Sequence, residues 1–295
     1  MNISAVQGAD LAAWPEQSLW RTWCKGMKRH KLATVGVLII VLMALMSFVG
    51  PLLLKLDPTY INVLKRSAPP LVPGHLLGTD ELGRDVLARL MAGGKVSLTI
   101  GFAAMLISVS IGSAVGMIAG YYRGIVGALL MRFVDAMLSF PTIFLILALA
   151  LMVKPGLVST TLLISATCWM EVARLVEGQF RSLRGAEYAA AARTCGASNL
   201  RIMMIELLPN AIGPIIIVAT LNVARAILLE SYVSYLGYGI QAPVASWGNM
   251  LNNAQVYLGT APWLAIVPGI AIALTATSVN FIGDGLRNIL EPRGR

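Results

Sequence analysis

The sequence predicts an all-α polytopic membrane protein with six transmembrane helices, on three observations. Of its 295 residues, 57% are hydrophobic and only 13% charged, too little charge to coat a water-soluble domain of this size. The apolar residues gather into runs of about 20, the length that crosses hydrocarbon as a helix. These runs do not alternate in segments of about ten, as the strands of a membrane barrel would.

The runs are Leu32 to Leu54, Val96 to Ala119, Phe133 to Val153, Leu157 to Val176, Ala211 to Leu229 and Leu264 to Gly283. The first is too long for a cleaved signal peptide and about thirty residues precede it, so it reads as a retained anchor. In the second, Gly112, Gly116 and Gly120 share one face with small-xxx-small spacing, which favours close helix packing in lipid. Pro141 and Pro214 are expected to kink the third and fifth runs. With the amino terminus inside and six crossings, fifteen Lys and Arg residues fall inside and seven outside. That bias puts both termini in the cytoplasm. It also accounts for the net charge of +9 without nucleic acid.

The chain then divides into a cytoplasmic tail (1–31), a first transmembrane helix (32–54), a periplasmic loop (55–95), a core of five helices (96–285) and a cytoplasmic tail (286–295). The tail before the first helix is basic, RTWCKGMKRHK, with Trp20 and Trp23 at the interface. Thr79 or Asp80 is expected to cap a helix starting near Glu81, with Asp85 and Arg89 paired at i, i+4. Charge inside a span is costly, so Asn222, Arg225 and Glu230 are candidates for lining a pathway or for buried bonds. Arg225 and Glu230 are five apart and point in different directions.

Several chemistries have no residues to carry them. The two histidines, His30 and His75, are far apart, so Cys and His offer no metal cluster. No histidine lies in a span, against an intramembrane protease. Cys24 and Cys195 face the reducing cytoplasm and Cys168 lies in a span, so no disulfide is implied. A P-loop of the form G-x-x-x-x-G-K-[ST] is missing, so ATP hydrolysis is not expected of this chain. No catalytic residue, metal site or bound cofactor is assigned.

The most informative segment is EYAAAARTCGASNLRIMMIELLP, Glu187 to Pro209, within a cytoplasmic loop 177–210. Alanine is the best helix former, so Ala186 to Ala192 should be helical. Gly196 marks a break or a close backbone approach, and Pro209 is expected to stop the helix before the fifth span. Arg184, Glu187, Arg193, Arg201 and Glu206 leave no broad apolar face for lying on a membrane, whereas Ala189 to Ala192 offer a thin surface suited to a partner's groove.

Four motifs together resemble the permeases of binding-protein-dependent ABC importers, in particular the second membrane subunit of the dipeptide, oligopeptide and nickel group. They are LGTDELGRD (Leu77 to Asp85, with Gly78, Thr79, Asp80, Gly83, Arg84 and Asp85), the alanine loop ending in LLPN, SYLGYGIQAPVASWGNML (Ser234 to Leu251) and NFIGDGLRNILEP (Asn280 to Pro292). The resemblance implies a type I ABC importer permease fold in a bacterial inner membrane. It implies a heterodimer with a homologous permease, two ATPase subunits that bind ATP and Mg, and an external substrate-binding protein. It implies alternating-access uptake of short peptides or of nickel or metal chelates. The alanine loop would be the ATPase-coupling helix, with the motif's alanines at Ala191 and Ala192, its glycine at Gly196 and its end at Leu208 and Pro209. The motif's glutamate falls on Ala190, a departure for which Glu187, one turn earlier, could substitute. An ion-coupled secondary transporter is the alternative. It is weakened because Asp135, Glu171, Glu230 and Asp284 lie mostly toward span ends.

Overall fold

A computed structural model describes residues 30–122, 124–252 and 254–290. Trp20, Trp23, Cys24 and the last residues of the closing motif lie outside these. The elements used below are α1 (Lys31–Phe48), α2 (Gly50–Leu54), α3 (Val86–Tyr121), α4 (Ile125–Leu138), α5 (Thr142–Ala150), α6 (Leu157–Leu183), α7 (Glu187–Thr194), α8 (Leu208–Tyr235), α9 (Trp247–Leu251) and α10 (Trp263–Leu290). No named strand occurs among the described residues.

By length and composition, α1, α3, α10 and the continuous run Asn199–Tyr235 that contains α8 can each cross a membrane. α4 and α5 add a fifth crossing if taken as one broken span, bent by 85°. α6 has 27 residues but carries Glu171, Arg174, Glu177 and Arg181. The expected count of six therefore rests on α6, whose polar face lowers its hydropathy.

The bundle is organised around α3, whose most extensive partner is α6. Its small-residue face makes this contact. A Cβ on Gly112, Gly116 or Gly120 would stand 2.6 Å from the carbonyls of Trp169, Ala173 and Glu177 respectively. The backbones thus meet directly, which is how helices associate without a hydrophobic drive in lipid. α8 packs on α3, α6 and α10, and α1 lies against α10 and α3.

Several boundaries differ from expectation. α3 starts at Val86, not near Glu81, and its N-cap is Asp85, whose carboxylate accepts from Ala88 N at 2.8 Å. The last turns of the expected loop 55–95 are therefore helical. Pro141 does not merely kink a span: it stands as the N-cap of α5, beyond a break that ends α4 at Leu138. Proline lacks the N–H the ladder needs, and the chain turns a corner there, with an 85° bend between the two helices. Pro209 does the reverse of what was expected. The helix runs through it, preceded by a π-type stretch, Ile202–Leu207. The wider π turn leaves room where the proline ring would otherwise crowd the carbonyl four residues back.

Candidate functional site

Polar and exposed features gather in three places: the end of the bundle carrying α7, the middle of the helices, and the opposite end carrying residues 55–85 and 236–262.

At the α7 end, α7 begins after Ala186 and ends at Thr194, and Gly196 follows with φ +78°. Only glycine takes that left-handed conformation freely, so it is the residue that lets the chain reverse. Ala189 is fully buried, and Ala192 and Ala197 pack beside it against Val172, Val176 and Phe180 of α6 and Ile202 and Leu207. The remaining face is open: Glu187, Ala190, Ala191 and Gly196 are exposed, and Ala192 is half-buried. Leu200, Met204 and Ile205 extend this surface at 66%, 45% and 58% exposure. Leu208 is half-buried and Pro209 exposed where the run enters α8.

Tyr121, the last residue of α3, ties this end together. Its hydroxyl donates to Asn199 Oδ1 at 2.7 Å, its carbonyl accepts from Arg184 Nη1 at 2.7 Å, and the Arg193 guanidinium lies 5.8 Å from its ring centroid. Sequence reasoning missed Tyr121. Its signal was an aromatic pair at the end of a span, which reads equally well as an interfacial anchor.

Within the helices the three candidates separate. Glu230 is fully buried and accepts from Ser97 Oγ and Ser234 Oγ at 2.8 Å each. The same serines accept from Trp247 N (3.2 Å) and Ile240 N (3.0 Å), so the network joins α3, α8 and the 236–251 segment. Asn222 is also buried, with Nδ2 3.5 Å from Ser108 Oγ. Arg225 is different: it pairs with Glu171 of α6, and both side chains are substantially exposed. Arg225 and Glu230 do not meet. A second exposed pair, Arg174 with Asp135, lies one turn along α6. Glu171 and Arg174 share one face of α6, and an exposed charged face inside a span is stable against water or a polar partner rather than lipid.

At the opposite end, the motif Gly78 to Asp85 is turned inward. Thr79, Asp80, Arg84 and Asp85 are all buried. Asp80 accepts from Leu82 N and Arg84 N at 2.9 Å each and from Arg84 Nε at 2.7 Å. Thr79 Oγ1 donates to Lys65 O and accepts from Ala68 N, while its carbonyl accepts from Trp263 Nε1 at 3.2 Å. The expected Asp85–Arg89 pair does not form: Arg89 Nε faces Asp80 at 3.5 Å, and Asp85 meets His75 Nδ1 at 2.7 Å. Capping α3 occupies the other Asp85 oxygen and turns that carboxylate away from Arg89. Gly78 and Gly83 take left-handed turns at either side of this knot.

Among the described residues no group of three or more His, Cys, Asp or Glu could hold a metal ion. The geometry thus defines a polytopic α-helical membrane protein with one exposed, braced helix at one end and a closed polar knot at the other.

Known proteins make the class specific. The family of binding-protein-dependent transport system inner membrane components matches residues 112–295, and the N-terminal TM domain of oligopeptide transport permease C matches residues 18–70. The dipeptide transport system permease protein DppC of Alkalihalophilus pseudofirmus is 38% identical, over 94% of this chain and 90% of that protein. The oligopeptide transport system permease protein OppC of Bacillus subtilis is 36% identical, over 94% of this chain and 91% of that protein. DppC of the same organism is also 36% identical, over 100% of this chain and 92% of that protein. The chain belongs to the family of binding-protein-dependent transport system inner membrane components.

Proposed function

We propose that this chain is one of two homologous permease subunits of an ATP-driven importer of short peptides in a bacterial inner membrane. The peptide class rests on the relatives, which are named as oligopeptide and dipeptide permeases. In this reading the α7 end lies in the cytoplasm with both termini. Two ATPase subunits hold the ATP and Mg and seat α7 and Gly196 in a groove. The opposite end receives cargo from an external binding protein.

The observation that carries the proposal is the combination of exposure and bracing at α7. Its outer face presents small residues, Ala190, Ala191 and Gly196, beside apolar Leu200 and Ile205. Its inner face is locked to α3, α6 and the start of α8 through Tyr121, Ala189, Ile202 and Leu207. A pull on the outside is therefore transmitted to three long helices as a rigid body, since close-packed interiors transmit displacement instead of absorbing it. Glu187, in the first turn of α7, supplies the acidic group that the family motif would have at Ala190. Among the intramembrane residues, the exposed Arg225–Glu171 pair fits a wall of the pathway between subunits. Glu230 and Asn222 support the wall from behind.

Gly196 is the site of the test. A Cβ there meets nothing within 4 Å, so an outward side chain does not disturb the packing. Its cost is the left-handed φ, about 1–2 kcal/mol, least for asparagine. Gly196→Trp is expected to insert normally and to abolish peptide uptake, while Gly196→Asn retains most of it. Uptake by the tryptophan variant at the wild-type rate would remove the docking role.

A further inference from the structure

Arg89 is only 5% exposed, and among the described residues its Nη1 has no hydrogen-bond partner. The same guanidinium faces Asp80 through Nε at 3.5 Å, so the orphan is one donor of an otherwise engaged group. A buried charged donor left unpaired is costly, and native structures rarely keep one. Arg89 lines a cavity of about 40 Å³ at the start of α3, together with Asp80, Glu81, Arg84, Asn249 and Asn252.

Size and charge restrict what this cavity takes. A water needs on the order of 10–15 Å³, so about two fit and an organic ligand does not. The walls set two guanidinium groups, Arg84 and Arg89, against two carboxylates, Asp80 and Glu81, and so carry no net charge to hold an ion. Arg84 is fully occupied by this pairing, with Nε on Asp80 at 2.7 Å and Nη2 on Glu81 at 3.3 Å. Arg89 Nη1 is the donor that remains. Asn252 supplies a matching acceptor: its Nδ2 is committed to the Tyr235 carbonyl at 2.7 Å, which leaves Oδ1. A small neutral molecule that accepts on one side and donates on the other satisfies both groups, and water is that molecule.

We propose that an ordered water in this cavity accepts from Arg89 Nη1 and donates to Asn252 Oδ1, tying the start of α3 to the end of α9. Asn252 is the C-cap of α9. The bridge therefore joins the bond from Trp247 Nε1 to the Leu90 carbonyl, 3.0 Å, in holding α9 against α3. The site depends neither on the cargo nor on the partner of α7.

The test is a crystal structure of the assembled importer, grown with sodium bromide, at a resolution that shows ordered waters. The expected result is a density peak within hydrogen-bond reach of both Arg89 Nη1 and Asn252 Oδ1, with no anomalous signal from bromide. An anomalous peak there would overturn the proposal by marking an anion site. So would the lack of any peak, or an Arg89 rotamer whose Nη1 bonds directly to protein. A second measurement uses Arg89→Met and Asn252→Leu, alone and together, read as thermal midpoints in detergent. Each single change already breaks the bridge, so the double variant should lose clearly less than the two single losses added. Strictly additive losses would mean that the two side chains share no water, against the proposal.

Discussion

The two ends of this molecule each carry a recognisable motif, and physically they are opposites. At one end Thr79, Asp80, Arg84 and Asp85 are at most 9% exposed, with Asp80 ion-paired to Arg84 and Asp85 hydrogen-bonded to His75. At the other, Glu187, Ala190, Ala191 and Gly196 face outward, with only the back of α7 packed. Motif strength is similar in the sequence, yet one motif is a fastening and the other a surface. The difference teaches that burial and saturation of hydrogen bonds, not recognisability, separate residues that hold the fold from residues free to meet a partner.

The comparison can be broken first at the closed end. Asp80→Ala would leave buried Arg89 without its carboxylate and Arg84 with only the more exposed Glu81 at 3.3 Å, a loss of about 3–5 kcal/mol. The expected result is a large drop in folded protein recovered from the membrane, measured by fluorescence-detected size exclusion. Wild-type recovery would show that the knot is dispensable.

Glu230→Ala is expected to have the next largest effect. It leaves the Ser97 and Ser234 hydroxyls without their acceptor and loosens the 236–251 segment, at about 1–3 kcal/mol. The thermal midpoint in detergent should fall accordingly. An unchanged midpoint with altered substrate range would instead make Glu230 a pathway residue.

At the open end the signs reverse. Leu200→Ser should change stability by less than about 0.5 kcal/mol, as surface substitutions do, yet it should uncouple ATP hydrolysis from uptake. Destabilisation comparable to Asp80→Ala would mean that this face is packed, contradicting the difference between the two ends.

Much of this was legible in the sequence. The long apolar runs mark the helices because lipid demands an unbroken ladder, and the Gly112, Gly116, Gly120 repeat marked the closely packing face of α3, though not that α6 covers it. What was not legible depends on partners distant in sequence. Nothing local says that Asp85 spends one oxygen on Ala88 and the other on His75, leaving Arg89 to Asp80. Glu230 and Glu171 look alike as carboxylates within spans, but Ser97 and Ser234 hold the first in a fully buried site while Arg225 meets the second in the open. Pro141 and Pro209 look alike too. A π-type stretch precedes Pro209, which then falls in the first turn of α8 where proline is tolerated, and π turns leave no clear mark in composition.

The proposed seating of α7 in an ATPase can be probed directly. Cys195 is exposed beside Gly196 while Cys168 is buried, so a short thiol-directed crosslinker can report from the docking face itself. The measurement is to crosslink native membranes, recover this chain and identify the attached protein by mass spectrometry, with Cys195→Ser as the control. The expected result is a P-loop ATPase subunit attached through Cys195 and lost in the control. Complete thiol modification with no ATPase captured, or capture undiminished in the control, would contradict it.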